Sequence, residues 1–155
     1  MITLNRPKKS SDKHYVSIEK DYSSYCHAFL GFSGGKHVIN LVPGWSGSDY
    51  CTSKFVVAHE MVHGLGLWHE QQRPDRDDYI WVDFSNIASG SEAQYDKCQS
   101  CLTYNIPYDP HSIMHYPPYS YCKDCSKLVM HSKVTHTWSK DMVFPNPESE
   151  SYFKL

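Results

Sequence analysis

The 155-residue sequence contains no long apolar run, no block of like charges and no internal repeat. Its longest apolar stretches, such as residues 55–58, are far shorter than the roughly 20 residues that cross a bilayer, so membrane insertion is excluded. Fifteen Lys and Arg oppose 17 Asp and Glu, for a net charge of -2, and this balance argues against a nucleic-acid partner held by phosphate contacts. No apolar segment follows the basic residues of 1–10, so we predict no signal peptide in this chain.

Histidine and cysteine are abundant, with ten His and six Cys. Four of the cysteines form two CxxC pairs, Cys98 with Cys101 and Cys122 with Cys125. In a cytosolic protein this spacing suits a four-thiolate zinc site, whereas in a secreted protein it suits two disulfides. The cysteine pattern alone leaves both possibilities open.

Regular structure is predicted mainly in the first half of a chain whose length fits one domain. Alternating residues indicate a strand at 15–19. Two β-rich runs, 27–32 and 36–42, flank the sequence Ser-Gly-Gly, which is a hairpin signal. About three strands are therefore expected.

A helix is predicted next, followed by an irregular second half. Thr52 or Ser53 can cap the start of this helix, and glycines mark its end near Gly66. Beyond Pro74 the sequence is loop-rich, with a short helix expected after Asp83.

His59, Glu60 and His63 form an HExxH motif on the predicted helix. Two imidazoles at this spacing lie on one helix face, where both can bind one ion. Gly66 can reverse the chain through a positive φ and so bring His69 to the same ion. Three imidazoles and one open position define a catalytic zinc site, in which water occupies the open position.

This extended motif is the signature of the metzincin zinc endopeptidases, and segment 59–77 together with SIMHY at 112–116 resembles the astacin family. The resemblance covers about residues 3–143. It implies an α+β fold with a small twisted sheet and an active-site helix above an irregular, disulfide-braced lower subdomain. We predict an astacin-like peptidase domain at 1–144, incomplete at both ends, and a divergent tail at 145–155.

The resemblance also implies a role for each motif residue. Three imidazoles would bind one Zn²⁺, those of His59, His63 and His69. Glu60 would act as general base and acid, Tyr116 as a switchable fifth zinc ligand, and Met114 would floor the zinc pocket by packing. The implied activity is hydrolysis of internal peptide bonds of proteins by a zinc-bound water that Glu60 activates.

Family resemblance further implies secretion and a disulfide between Cys26 and Cys51, worth about 3.5 kcal/mol in the loop-entropy model. The four CxxC cysteines are additional to the family pattern and flank the turn that contains Met114. We expect these four to form two disulfides, and bridges across this segment would brace the floor of the zinc pocket, but three pairings are possible and the sequence does not choose between them. In the family, the Glu after the third His lies near a buried N-terminus, and the sequence shows no such partner for Glu70.

Two other functions stay open at this point. One is a catalytically impaired astacin-like fragment that binds zinc without proteolysis, although retention of both Glu60 and Tyr116 argues for an enzyme. The other is a cytosolic protein with two zinc ions, which the CxxC pairs would allow. Lys54, Arg73 and Arg76 are interpreted as solvated or structural rather than as contacts for acidic substrates.

Overall fold

The computed structural model describes residues 9–20, 25–42 and 50–133. Its chain divides into two compact units, Met1–Leu67 and Trp68–Leu155. Both ends of the predicted peptidase domain and the whole predicted tail lie outside the described residues. Within the described part of the chain, no helix has the length and apolar character that a bilayer crossing requires.

The sheet of the first unit contains the strands β1 (Tyr15–Glu19), β2 (His27–Ala28) and β3 (Lys36–Asn40). β3 lies in the middle, parallel to β1 and antiparallel to β2. The three predicted strands are therefore present, but the second ends earlier than predicted. Residues after Ala28 leave the sheet, and the Gly31 N–H donates to the carbonyl of His63 at 2.9 Å rather than to a neighbouring strand.

Helix α1 (Lys54–Gly64) begins where capping chemistry predicts it. Ser53 is the N-cap, and its hydroxyl accepts a hydrogen bond from the Val56 N–H at 3.3 Å, which satisfies one otherwise unpaired donor of the first turn. The disulfide between Cys26 and Cys51 is present, as the family resemblance implied. Because Cys51 is fully buried, this bridge ties the start of the helix segment firmly to the segment that leads into β2.

The second unit has little regular structure. Its strands β4 (Ile80–Val82) and β5 (Met130–Ser132) pair antiparallel; strands of three residues are too short to show a period in the sequence. The remaining described elements are short 3-10 helices at Glu70–Gln72, Arg76–Asp78, Phe84–Asn86 and Glu92–Tyr95. The predicted short helix after Asp83 is thus confirmed, and the Asp83 carboxylate caps it by accepting from the Ser85 N–H at 3.1 Å.

The core of the second unit combines aromatic and aliphatic side chains, namely Ile80, Val82, Ile87, Tyr95, Tyr108, Tyr116, Val129 and Met130. Beside it, the buried side chain of Asn86 organises the irregular loop 124–128. Its Nδ2 donates to three carbonyls of that loop at 3.1–3.3 Å, and its Oδ1 accepts from the Asp124 N–H at 3.0 Å. One amide side chain therefore replaces much of the hydrogen bonding that a strand would supply.

The CxxC cysteines pair locally, Cys98 with Cys101 and Cys122 with Cys125. The two disulfides expected among these four cysteines are confirmed, but bridges across the segment around Met114 are wrong, because the Cα atoms within each CxxC pair are 5.4 and 5.1 Å apart, a separation that a disulfide spans directly. A second, four-thiolate zinc site is also wrong, since no cysteine is free. In the loop-entropy model, a loop this short contributes about 2 kcal/mol, less than the bridge in the first unit.

His115 is a buried polar member of the second unit, only 3% exposed. Its Nδ1 donates to the carbonyl of Tyr116 at 2.7 Å, which leaves Nε2 to accept from the hydroxyl of Tyr108 at 2.6 Å. Burial lowers the pKa of His115 to about 4, although the Tyr116 carbonyl and the charge of Asp109 oppose this shift. The folded protein therefore holds this imidazole neutral.

We expect His115 to make a contribution to stability that is lost in mild acid. A histidine in the unfolded chain has a pKa of about 6.5, so between about pH 6.5 and 4 the unfolded state binds a proton that the folded state does not. Through this window, the contribution of His115 to the free energy of unfolding should decrease as pH falls, by up to about 1.4 kcal/mol per pH unit. Comparing denaturant unfolding of the zinc-free parent with that of a His115 variant isolates this contribution, because the buried Glu60, which titrates in the same range, is present in both.

Two variants assign the slope to its source. His115→Gln should remove this contribution from the slope, whereas His111→Gln, at an exposed position, should leave the slope close to that of the parent. Equal slopes in the parent and in both variants would show that His115 is not the responsible group.

Candidate metal centre

The end of helix α1 determines where the metal motif continues. Gly66 has a φ of +98°, its N–H donates to the carbonyl of His63 at 2.8 Å, and the Leu67 N–H donates to the carbonyl of Val62 at 3.3 Å. These are the two hydrogen bonds of a Schellman motif, in which a left-handed residue ends the helix. The predicted reversal at Gly66 is confirmed.

A second glycine lies against the first. Gly31 also has a positive φ, +66°, and a Cβ atom at this position would lie 3.5 Å from the Cα of Gly66. Its N–H donates to the same His63 carbonyl at 2.9 Å. The sequence-based prediction did not include this contact, although a glycine inside a predicted strand is a signal of close backbone approach.

Within the continuous segment 59–69, the ligand nitrogens of His59, His63 and His69 all lie within 4.8 Å of one another. The rings of the first two histidines meet edge to face, with centroids 4.6 Å apart. Among residues 9–20, 25–42 and 50–133, no other group of three His, Cys, Asp or Glu side chains converges in this way. The three predicted ligands are therefore positioned to bind a metal ion.

Hydrogen bonds orient two of these imidazoles. The Nδ1 of His63 lies 2.8 Å from the carbonyl of Leu67, and the Nδ1 of His69 lies 3.0 Å from the Oε1 of Gln72. Because both oxygens can only accept, each Nδ1 carries the proton and each Nε2 keeps a lone pair for a metal. Burial also lowers the pKa of His63, against the effect of the Leu67 carbonyl. Neutral imidazole nitrogens of this kind fit Zn²⁺.

Glu60 is the one buried residue of helix α1, at 6% exposure. Burial raises the pKa of its carboxyl to about 7, and a hydrogen bond with the backbone of Ala28 opposes that shift. Among the described residues its Oε2 has no hydrogen-bond partner. A buried carboxylate oxygen without a partner is costly, and a hydrated metal ion held by the neighbouring His59 would satisfy it.

Glu70 starts the turn that follows the third histidine. Its N–H donates to the carbonyl of Met114 at 2.9 Å, and its carboxylate accepts from the guanidinium of Arg73 at 3.0 Å and the Asp109 N–H at 2.9 Å. The structure thus supplies a partner for Glu70 that the sequence did not reveal. Arg73 and the buried Arg76, which donates to two backbone carbonyls, have the structural role predicted for them.

Tyr116 lies beside the third imidazole, with its ring centroid 4.4 Å from that of His69. It is 8% exposed, and its hydroxyl donates to the Oε1 of Gln94 at 3.1 Å. Met114 is buried as well, at 3% exposure. Gln94 was not predicted, because no local pattern connects a residue of the 3-10 helix Glu92–Tyr95 to the SIMHY segment.

We expect Gly66→Val to lower zinc affinity at least tenfold without removing a ligand. A β-branched residue resists positive φ, and a side chain at this position would meet Gly31. His69→Ala should lower the affinity by removing one ligand directly. Zinc content after dialysis against a weak chelator measures both effects.

Gly90→Val is the matched control, because Gly90 also has a positive φ of +88° but no atom within 4 Å of its would-be Cβ. This variant should lose stability and keep its zinc. Full occupancy in Gly66→Val and His69→Ala would show that the reversal does not build the metal site.

Comparison with known proteins agrees with this geometry. Residues 2–143 match the family model named Astacin, which describes a peptidase family. The chain is 34% identical to Zinc metalloproteinase nas-13 of Caenorhabditis elegans over 120 residues, which are 76% of this chain and 25% of that protein. It is 35% identical to Zinc metalloproteinase nas-5 of the same organism over 148 residues, 94% of this chain and 40% of that protein.

A solved structure of a zinc protease also resembles this chain. High choriolytic enzyme 1 (HCE-1), a hatching enzyme zinc-protease from Oryzias latipes (medaka fish), superposes with a TM-score of 0.73 at 27% identity, covering 83% of this chain and 60% of that chain. The chain thus spans less than half the length of the two nematode relatives. With a zinc-type histidine triad formed at the predicted positions, the chain belongs to the astacin family of zinc metalloproteinases.

Proposed function

We propose that this chain is the catalytic part of a zinc-dependent endopeptidase that hydrolyses internal peptide bonds of proteins or peptides. The observation that carries the proposal is the convergence of three imidazoles in the chain segment that also holds the buried, unpartnered carboxylate oxygen of Glu60. Three protein ligands leave a coordination position open, as catalytic zinc sites require. A structural zinc site would use a fourth protein ligand instead.

Glu60 would move the proton in this reaction. When bound, zinc supplies a Lewis acid that lowers the pKa of water to about 7 and polarises a carbonyl oxygen. As the oxygen of the attacking water bonds to the carbonyl carbon, Glu60 would accept the proton that this water loses. It would then deliver the proton to the amine nitrogen when the C–N bond breaks. Burial raises the pKa of this carboxyl in the zinc-free protein, and the positive charge of a bound zinc ion would act against that shift.

Tyr116 would stabilise the negative charge that develops on the carbonyl oxygen. A phenol is a neutral hydrogen-bond donor at pH 7, with an ordinary pKa of about 10. In the structure this hydroxyl donates to the Oε1 of Gln94. During the reaction it would exchange that acceptor for the oxyanion, and binding to zinc as a fifth ligand, the other part of its implied role, stays a prediction.

We also propose that the protein works outside the cell. All six cysteines are paired in three disulfides, and disulfides persist in oxidising compartments and are rare in the cytosol. Extracellular proteins or peptides would then be the substrates.

The variant Glu60→Gln should keep its zinc and lose nearly all hydrolysis, because the ligands are untouched while the proton acceptor is gone. Cleavage of casein by the oxidatively refolded protein, with and without a chelator, measures activity, and metal analysis measures zinc. Glu92→Gln, at an exposed position, is the control and should cleave like the parent. Equal rates for Glu60→Gln and the parent would refute the role of Glu60, and a parent that binds zinc without cleaving would favour the non-proteolytic alternative.

The variant Tyr116→Phe should keep its zinc and its fold, change KM by no more than a few-fold, and lower kcat by about 10²- to 10³-fold, the usual loss for one oxyanion donor. Tyr104→Phe, at a position 76% exposed, should behave like the parent. If Tyr116→Phe lowers the melting temperature but keeps kcat, the hydroxyl serves packing and has no part in the reaction.

A further inference from the structure

One side chain forms a hydrogen bond with the Nδ1 of His69 and so orients its ring. His69 lies just before the 3-10 helix Glu70–Gln72, and its Nδ1–H donates to the Oε1 of Gln72 at 3.0 Å. The corresponding partner of His63 is the backbone carbonyl of Leu67, which no substitution of a side chain removes. A substitution of Gln72 can therefore alter the metal site while all three ligands stay in place.

Gln72 is itself held in place. It is only 7% exposed, its N–H donates to the carbonyl of His69 at 3.1 Å, and its carbonyl accepts from the Cys98 N–H at 2.7 Å. The donor residue belongs to the loop that the disulfide between Cys98 and Cys101 closes. A continuous path of short contacts thus runs from a disulfide through Gln72 to a zinc ligand.

We propose that Gln72 is a positioning residue that fixes the tautomer and ring direction of His69, and that the disulfide-closed loop 98–101 keeps Gln72 in position. Partners of this kind hold a ligand nitrogen toward the metal, and their loss typically weakens metal binding about 10- to 100-fold. The disulfide acts one step further from the ligand, so its removal has a smaller effect. The inference concerns zinc binding alone and stands whether or not the protein cleaves peptides.

Zinc affinity of the full, oxidised chain, measured by competition with a chromogenic chelator, tests the side chain. Gln72→Met preserves length and burial but removes the acceptor, and should weaken zinc binding about 10- to 100-fold. Gln72→Glu restores an acceptor and should bind within a few-fold of the parent. Gln99→Met, at an exposed position of the loop, should match the parent. Parent-like binding by Gln72→Met, or equally weak binding by Gln72→Met and Gln72→Glu, would overturn the role of Gln72.

The double variant Cys98→Ser with Cys101→Ser tests the loop. Its zinc affinity should fall between those of the parent and Gln72→Met, and an affinity equal to that of the parent would overturn the contribution of the disulfide.

A measurement on the unmodified protein tests the proposal even if the variants fail to fold. Long-range ¹H–¹⁵N spectra of the zinc-free parent at mildly alkaline pH should show His69 with its proton on Nδ1. A proton mainly on Nε2 would overturn the proposal.

Discussion

The metal centre depends on one backbone carbonyl, that of His63. It accepts hydrogen bonds from Gly66, which ends helix α1, and from Gly31, which follows β2. A carbonyl oxygen has two lone pairs, and both are engaged here. Because both donors have left-handed φ angles, which residues other than glycine adopt at a cost, glycine at both positions favours the turn that leads toward His69. The position of the third ligand is thus set by main-chain geometry.

A carboxylate, rather than an apolar residue, is the most buried side chain of helix α1. The desolvation of Glu60 has a cost, which its raised pKa expresses. Among the described residues Glu60 forms no ion pair, in contrast to Glu70, which Arg73 neutralises. Local arrangements that cost stability in this way concentrate at functional sites. The burial of Glu60 fits this rule, because the residue lies beside histidines that are positioned to bind a metal ion.

Sequence-based prediction succeeded for features that depend on residues close together in the sequence. The interval from His59 to His69, the glycine between them and the cap at Ser53 all depend on contacts within a few residues, so their geometry can be inferred from helix periodicity and capping rules. The family resemblance supplied the bridge between Cys26 and Cys51, which helical or strand spacing could not.

Prediction failed where one polar side chain contacts a distant segment. Gln94 and Asn86 bond to groups 22 and 38–42 residues away, and such contacts leave no local pattern. Gln72 contacts a neighbour in sequence, but a glutamine three residues after a histidine carries no distinctive signal. The local pairing of the CxxC cysteines was likewise undecided, since four cysteines allow three pairings.

The lengths of the disulfide loops bear on the order in which the chain can fold. The bridge of the first unit spans 25 residues and shortens a long closure, whereas those of the second unit span three residues each. Such short loops can close in the unfolded chain and bring no distant segments together. The contacts of Asn86 across 38–42 residues must therefore overcome nearly the full loop-closure entropy. Formation of the long-range disulfide can therefore favour the native topology of the first unit during folding. The second unit depends instead on a few long-range polar contacts.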